Sequence, residues 1–139
     1  MFQLHGQLEK DAALVCDLPL SRILLFNDAR FPWLILVPRI EGAIEIYSLS
    51  RTARATLMEE IALASGVLER VFKPDKINVG ALGNIVDQLH VHVVGRFTRD
   101  AAWPQPVWGF SGKETYRPDE LRGRLKALQD AFEKEQQGQ

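Results

Sequence analysis

Gln88, His90 and His92 alternate with Leu89, Val91 and Val93, and this stretch holds the residues best suited to chemistry. Strict polar–apolar alternation is the period of a β-strand, so the three polar side chains share one face and the three apolar ones the other. At roughly 3.3 Å of rise per residue, neighbours two apart lie about 6.6 Å apart along the strand. Two imidazoles at that spacing can meet one small anionic group. The chain has three histidines, and two of them are here. A lone strand histidine is ordinarily a half-polar surface residue; a pair flanked by a glutamine on the same face asks for more. Two chemistries fit. Histidines at i and i+2 can share a zinc ion, but a structural zinc wants four ligands, and Cys16 and His5 stand far off without ligand spacing. A pair held for phosphate chemistry fits better, because imidazole is a nucleophile when neutral and a donor or acid when protonated.

The elements that must position this face can be read outward from it. Ser21–Phe26 and Trp33–Val37 are apolar runs of strand length, and the turn-rich Asn27-Asp28-Ala29-Arg30-Phe31-Pro32 between them makes a hairpin. Both runs are apolar on both faces, which predicts central strands covered on each side. Ser50 can cap a long helix to about Phe72, on which Leu57, Ile61, Ala64, Leu68 and Val71 form one stripe. Its charged residues form a solvated face, and Pro74 stops it. Lys76-Ile77-Asn78-Val79 begins a further strand, and Gly80-Ala81-Leu82-Gly83-Asn84 turns the chain toward the histidines. Two close glycines permit an anion-binding nest, although a plain turn explains them as well.

At the start of the chain, Leu4, Leu8 and Ala12 predict a short helix that Asp17-Leu18-Pro19 breaks, and His5 reads as an exposed terminal residue. Past Arg96 a Pro- and Trp-containing loop leads to a last helix from Pro118, with Leu121, Leu125, Leu128 and Phe132 on one stripe and a frayed tail from Glu133. Strands and helices are grouped rather than repeated as βαβ units. The fold class expected is α+β, a mainly antiparallel sheet with a long helix packed on it.

Composition sets the outer bounds. The 139 residues carry 17 basic and 18 acidic side chains, a net charge of −1, so no surface is suited to coating a nucleic acid, whereas a mononucleotide needs only a local site. The single Cys16 excludes an intrachain disulfide. No secretory signal and no apolar run near ~20 residues is present, so the expectation is a cytoplasmic protein without a membrane partner.

Gln88-Leu89-His90-Val91-His92-Val93-Val94 resembles the signature of the histidine-triad (HIT) nucleotide-binding family, in which three histidines alternate with apolar residues. Phe26-Asn27-Asp28, Leu34–Arg39, Asn78, the Gly83-Asn84 turn and Trp103-Pro104 follow the family's layout in the same order, so the resemblance covers roughly residues 21–108. It implies one HIT-like domain over 1–139, with a core at about 21–108 and a C-terminal helix at about 118–133, assembled as a homodimer. It also implies a nucleoside phosphate ligand, no cofactor and no metal. By position, His90 is the family's nucleophile and His92 the residue that contacts the phosphoryl oxygens and helps the leaving group. Asp28 matches an acidic residue on the ribose hydroxyls, and Asn78 a phosphate-side asparagine. The Asn84-Ile85 backbone should face the phosphate, and Trp103 should reach the other subunit's site. The first histidine of the signature is Gln88 here, which can donate and accept hydrogen bonds but cannot become a cation.

The activity so implied is nucleotidyl hydrolysis or transfer at an α-phosphate through a nucleotidyl-histidine intermediate. Neutral His90 would attack phosphorus, its other nitrogen donating to a backbone carbonyl to fix the tautomer. His92 would bond the non-bridging oxygens or protonate the departing group. Two alternatives stay open at this point: a nucleotide-sensing protein with little turnover, for which Gln88 is the motive, and a metal-dependent hydrolase using His90 and His92.

Overall fold

The computed structural model describes residues 1–138. In chain order it contains α1 (Gly6–Asp11), β1 (Ala12–Asp17), β2 (Ser21–Phe26), β3 (Trp33–Pro38), α2 (Arg51–Phe72), β4 (Lys76–Gly80), β5 (Val91–Arg96) and α3 (Pro118–Gln137). The strands form one five-stranded sheet in the order β1-β2-β3-β5-β4, and every neighbouring pair is antiparallel. β3 is the middle strand, and all six of its residues are buried, as a run apolar on both faces requires. The α+β architecture is the one expected from the sequence.

One face of the sheet is covered by α2 and α3. Ser50 caps α2, its Oγ accepting from the Ala53 N–H at 3.1 Å, and Lys73 ends the helix with a left-handed φ of 53° just before Pro74. The α2 stripe of Leu57, Ile61, Ala64 and Leu68 meets Leu34, Leu36, Val91 and Val93 of the sheet, with Leu128 and Phe132 of α3 closing the same core. Each large side chain so buried contributes about 1.5–3 kcal/mol. α3 runs on to Gln137 rather than fraying at Glu133. Its first turn is boxed by Glu120, which accepts from the Arg117 N–H at 3.3 Å, and Glu135 near its end pairs with Arg70 of α2.

The N-terminal expectation needs correction. The helix ends at Asp11, and Ala12 opens the edge strand β1, so Asp17-Leu18-Pro19 closes a strand, not a helix. A bulge between Leu14 and Cys16 shifts the register with β2, burying Val15 and leaving Leu14 exposed. The extra residue interrupts the two-residue period by which a strand is recognised.

The second face of the sheet is covered more sparsely, by Leu8 of α1 and by the loop between β5 and α3, which packs Ala102 and Val107 beside Phe31, Trp33, Ile35 and Val94. This is the face that carries the histidines.

Candidate functional site

His92 lies within β5, opposite Ile35 of β3 on one side and Gly80 of β4 on the other. His90 precedes the strand: pairing begins at Val91, although the alternation continues back through Leu89, which is buried in the helix-side core. Here the extended strand expected from Gln88 falls short, because the Leu89 N–H is taken by the Ala43 carbonyl at 2.9 Å instead of by a neighbouring strand. The two imidazoles stand edge to face with centroids 4.9 Å apart, and both residues are buried.

Each ring has one nitrogen tied down, and the two ties are opposite in kind. His90 Nδ1 lies 2.7 Å from the Gln88 carbonyl oxygen. A carbonyl only accepts, so His90 carries its proton on Nδ1 and, when neutral, presents a lone pair at Nε2. His92 Nδ1 lies 2.9 Å from Trp33 Nε1. An indole N–H only donates, so Nδ1 is the bare nitrogen and the proton of neutral His92 sits on Nε2. Burial, with His90 adding to it, pushes the His92 pKa down to about 4, so this ring is neutral near pH 7. Trp33 is itself fixed between Phe26 and Phe31, with centroids 4.4 and 6.3 Å away. On its far side His92 meets the edge of Trp108, whose ring comes so close to Gly80 that a β-carbon there would stand 3.0 Å from it.

The Gln88 side chain does not join the imidazoles. Its Oε1 accepts from the His5 N–H at 2.8 Å and its Nε2 donates to the Gln3 carbonyl at 2.9 Å. A carboxamide offers a donor and an acceptor side by side and so holds two backbone groups of the N-terminal arm at once. His5 is exposed but not idle: its Nδ1 accepts from the Gln7 N–H at 3.0 Å and caps α1.

A cavity of about 440 Å³ opens on the two histidines. Phe26 and Ile35 contribute from the sheet, Leu82 to Val86 from the loop before the histidines, and Gln7, Leu8 and Asp11 from α1. Asn84 and Ile85 therefore stand at the cavity with His90 and His92. A smaller cavity of about 150 Å³ touches His90 from the side of Ile44 to Tyr47.

Three residues marked in the sequence have other partners. Asp28 is 2 % exposed, and its oxygens accept from the Arg30 guanidinium at 3.0 and 2.9 Å and from the Arg30 N–H at 3.2 Å. Burial would raise its pKa, but these bonds outweigh it and hold the carboxyl below its usual range. Asn78 Oδ1 accepts from Arg96 Nη1 at 2.9 Å. Trp103 packs its ring 5.6 Å from the Arg96 guanidinium on a loop beyond β5. None of the three lines the cavity. Among the described residues, no cluster of three or more His, Cys, Asp or Glu is placed to hold a metal, and no helix is long and apolar enough to cross a membrane.

A family model described as "HIT domain" matches residues 7–99. A histidine triad protein from Bradyrhizobium japonicum is 44 % identical, with a TM-score of 0.91 over 94 % of this chain and 98 % of that one. A histidine triad protein from Marinobacter aquaeolei VT8 is 40 % identical, with a TM-score of 0.93 over 96 % and 98 %. A hypothetical histidine triad nucleotide-binding protein from Sulfolobus tokodaii, 14 % identical over 92 % and 88 %, shares the fold at a TM-score of 0.69. Comparison with curated proteins gives no match.

Proposed function

The chain belongs to the HIT domain family, and from that premise we propose that it is a nucleotide-binding hydrolase or nucleotidyl transferase. It cleaves at the α-phosphate of a nucleoside phosphate derivative through a nucleotidyl-histidine intermediate. The observation that carries this reading is the opposed tautomers of two adjacent rings at one cavity. One ring presents a lone pair and the other a proton, the two things an attack on a phosphate needs from neutral groups.

In the first step His90 Nε2 attacks phosphorus, a nitrogen–phosphorus bond forms, and the bond to the leaving group breaks with its electron pair, the departing atom taking a proton from solvent. His92 Nε2–H donates to a non-bridging oxygen, and backbone N–H groups at Asn84 and Ile85 take up further charge there. In the second step water, or another acceptor hydroxyl, attacks phosphorus and gives its proton to solvent, while the phosphorus–nitrogen bond breaks with its electron pair returning to His90 Nε2. Trp33 argues against His92 as the acid for the leaving group, since a proton arriving on Nδ1 would face the indole N–H.

Gln88 occupies the place of the family's first histidine and serves as a clamp for the arm. The same substitution favours a second reading, nucleotide binding with little turnover. Asp28 and Asn78 belong to the scaffold in this reading, and the exposed Trp103 is left for contact across a homodimer.

The test is intact-protein mass after brief incubation with an adenosine phosphoramidate, for wild type and His90→Ala. An adenylyl adduct on wild type alone, with turnover falling roughly a thousandfold or more in the variant, is expected. Turnover that survives in His90→Ala overturns the mechanism. Adenosine monophosphate (AMP) bound without adduct or turnover selects the sensing reading.

A further inference from the structure

The cavity has two polar ends, and only one of them is the histidine pair. The sheet order runs β5, β3, β2, β1, so three strand spacings, roughly 14 Å, separate the backbone of His92 from that of β1, which Asp11 precedes. The floor between is apolar, formed by Ile35 of β3 and Phe26 of β2. At the far end stand Asp11 and Gln7, one turn apart on α1.

Asp11 is fixed through both its backbone and its side chain. Its backbone carbonyl accepts from the Asn27 N–H at 2.9 Å, which ties it to the end of β2. Asp11 Oδ2 accepts from Gln7 Nε2 at 2.9 Å. Among the described residues no protein donor reaches Oδ1. The helix that carries both residues is not a loose end, because Gln88 grips the preceding arm through two hydrogen bonds and Leu8 is buried beneath it. Asp28, the carboxylate to which the family resemblance points, is already saturated by Arg30.

An anchored carboxylate repels a second phosphate and attracts a neutral hydrogen-bond donor. An apolar strip between it and the histidines fits a ring. We propose that Asp11, braced by Gln7, is the nucleoside-reading residue of this cavity. It accepts a hydrogen bond from a ribose hydroxyl or from an exocyclic amine of the base. This rests on the nucleotide reading of the site. It also gives Gln88 a use: the residue that replaces a histidine seats the helix that reads the nucleoside.

The experiment is calorimetric binding of AMP, its 2′,3′-dideoxy analogue and inosine monophosphate (which lacks the amine) to wild type, Asp11→Ala and Asp11→Asn. Asp11→Ala should weaken AMP binding roughly tenfold to a hundredfold, the range for losing a hydrogen bond to a charged acceptor. It should also abolish wild-type discrimination against one analogue: the dideoxy compound if hydroxyls are read, the inosine compound if the amine is. Asp11→Asn keeps the shape and an acceptor oxygen and should fall between, which separates recognition from loss of fold. AMP affinity unchanged in Asp11→Ala, equal weakening of all three ligands, or a wild type that binds all three alike would each overturn the proposal. A wild type that binds no nucleoside monophosphate fails differently, since it overturns the parent reading and this one with it.

Discussion

Two buried polar groups sit on the same face of β5, and they are built in opposite ways. Arg96, 1 % exposed, has all three guanidinium nitrogens engaged: Nε and Nη2 with Asp100 at 2.8 and 3.0 Å, Nη2 again with the Gln105 carbonyl at 2.8 Å, and Nη1 with Asn78 at 2.9 Å. Asp100 in turn accepts from the N–H groups of Phe97, Ala102 and Trp103. His90 and His92 each spend one nitrogen on the protein and keep the other. A charge whose every partner is supplied by its own chain is scaffold. A neutral ring left half-partnered beside a cavity has capacity in reserve, and this contrast, more than burial, separates framework from site.

The largest effect should come from breaking the saturated cluster. Asp100→Ala leaves Arg96 as a buried charge without its counter-ion, which costs about 3–5 kcal/mol. Urea unfolding at pH 7 measures it. A shift below about 1 kcal/mol would mean that the loop relaxes and hydrates the guanidinium, and the contrast with the histidines would lose its basis.

The pair should instead declare itself through pH. His92 titrates at about 4 in the folded chain and near 6.5 when unfolded. Its folded pKa is therefore depressed, and between these values the unfolded state binds more protons. Stability that is fully present above pH 6.5 is lost on acidification, by roughly 3 kcal/mol at pH 4. His92→Gln removes that dependence. Urea midpoints for the two proteins between pH 7 and 4.5 should converge as pH falls; parallel curves would show that His92 is not buried in neutral form.

How far the sequence carries toward this picture depends on the distance between partners. The β2–β3 hairpin, the Ser50 cap and the α2 stripe are local patterns, and they appear where the residues predict them. The adjacency of His90 and His92 is local too. β1 is not legible in the sequence because its bulge interrupts the alternation. Asp28, which the resemblance puts on the ribose hydroxyls, is paired with Arg30 instead, and nothing in Asp-Ala-Arg says that the arginine will fold back on it. Gln88 reaches partners 83 and 85 residues away, and Trp33 reaches His92 across 59. Those contacts exist only once the sheet has aligned them. Gln7 and Asp11 carried one faint local signal, a polar pair at i, i+4 on a short helix, which the leucines beside them overshadowed.

The smallest effect expected is the most diagnostic. Trp33→Phe keeps most of the packing among Phe26, Phe31 and His92 but removes the N–H that fixes the His92 tautomer. Losing one neutral hydrogen bond costs about 1 kcal/mol, so turnover at pH 7.5 should fall roughly fivefold to tenfold. The loss arises because His92 can now rest with its proton on Nδ1 and none to offer the phosphate. Protonation repairs that defect, since the imidazolium carries a hydrogen on both nitrogens. Burial and His90 still hold the His92 pKa down in the variant, so this repair comes only as pH approaches 4. The ratio of variant to wild-type rate should therefore climb toward one as pH falls toward 4. If Trp33 were only a packing residue, that ratio would stay flat with pH.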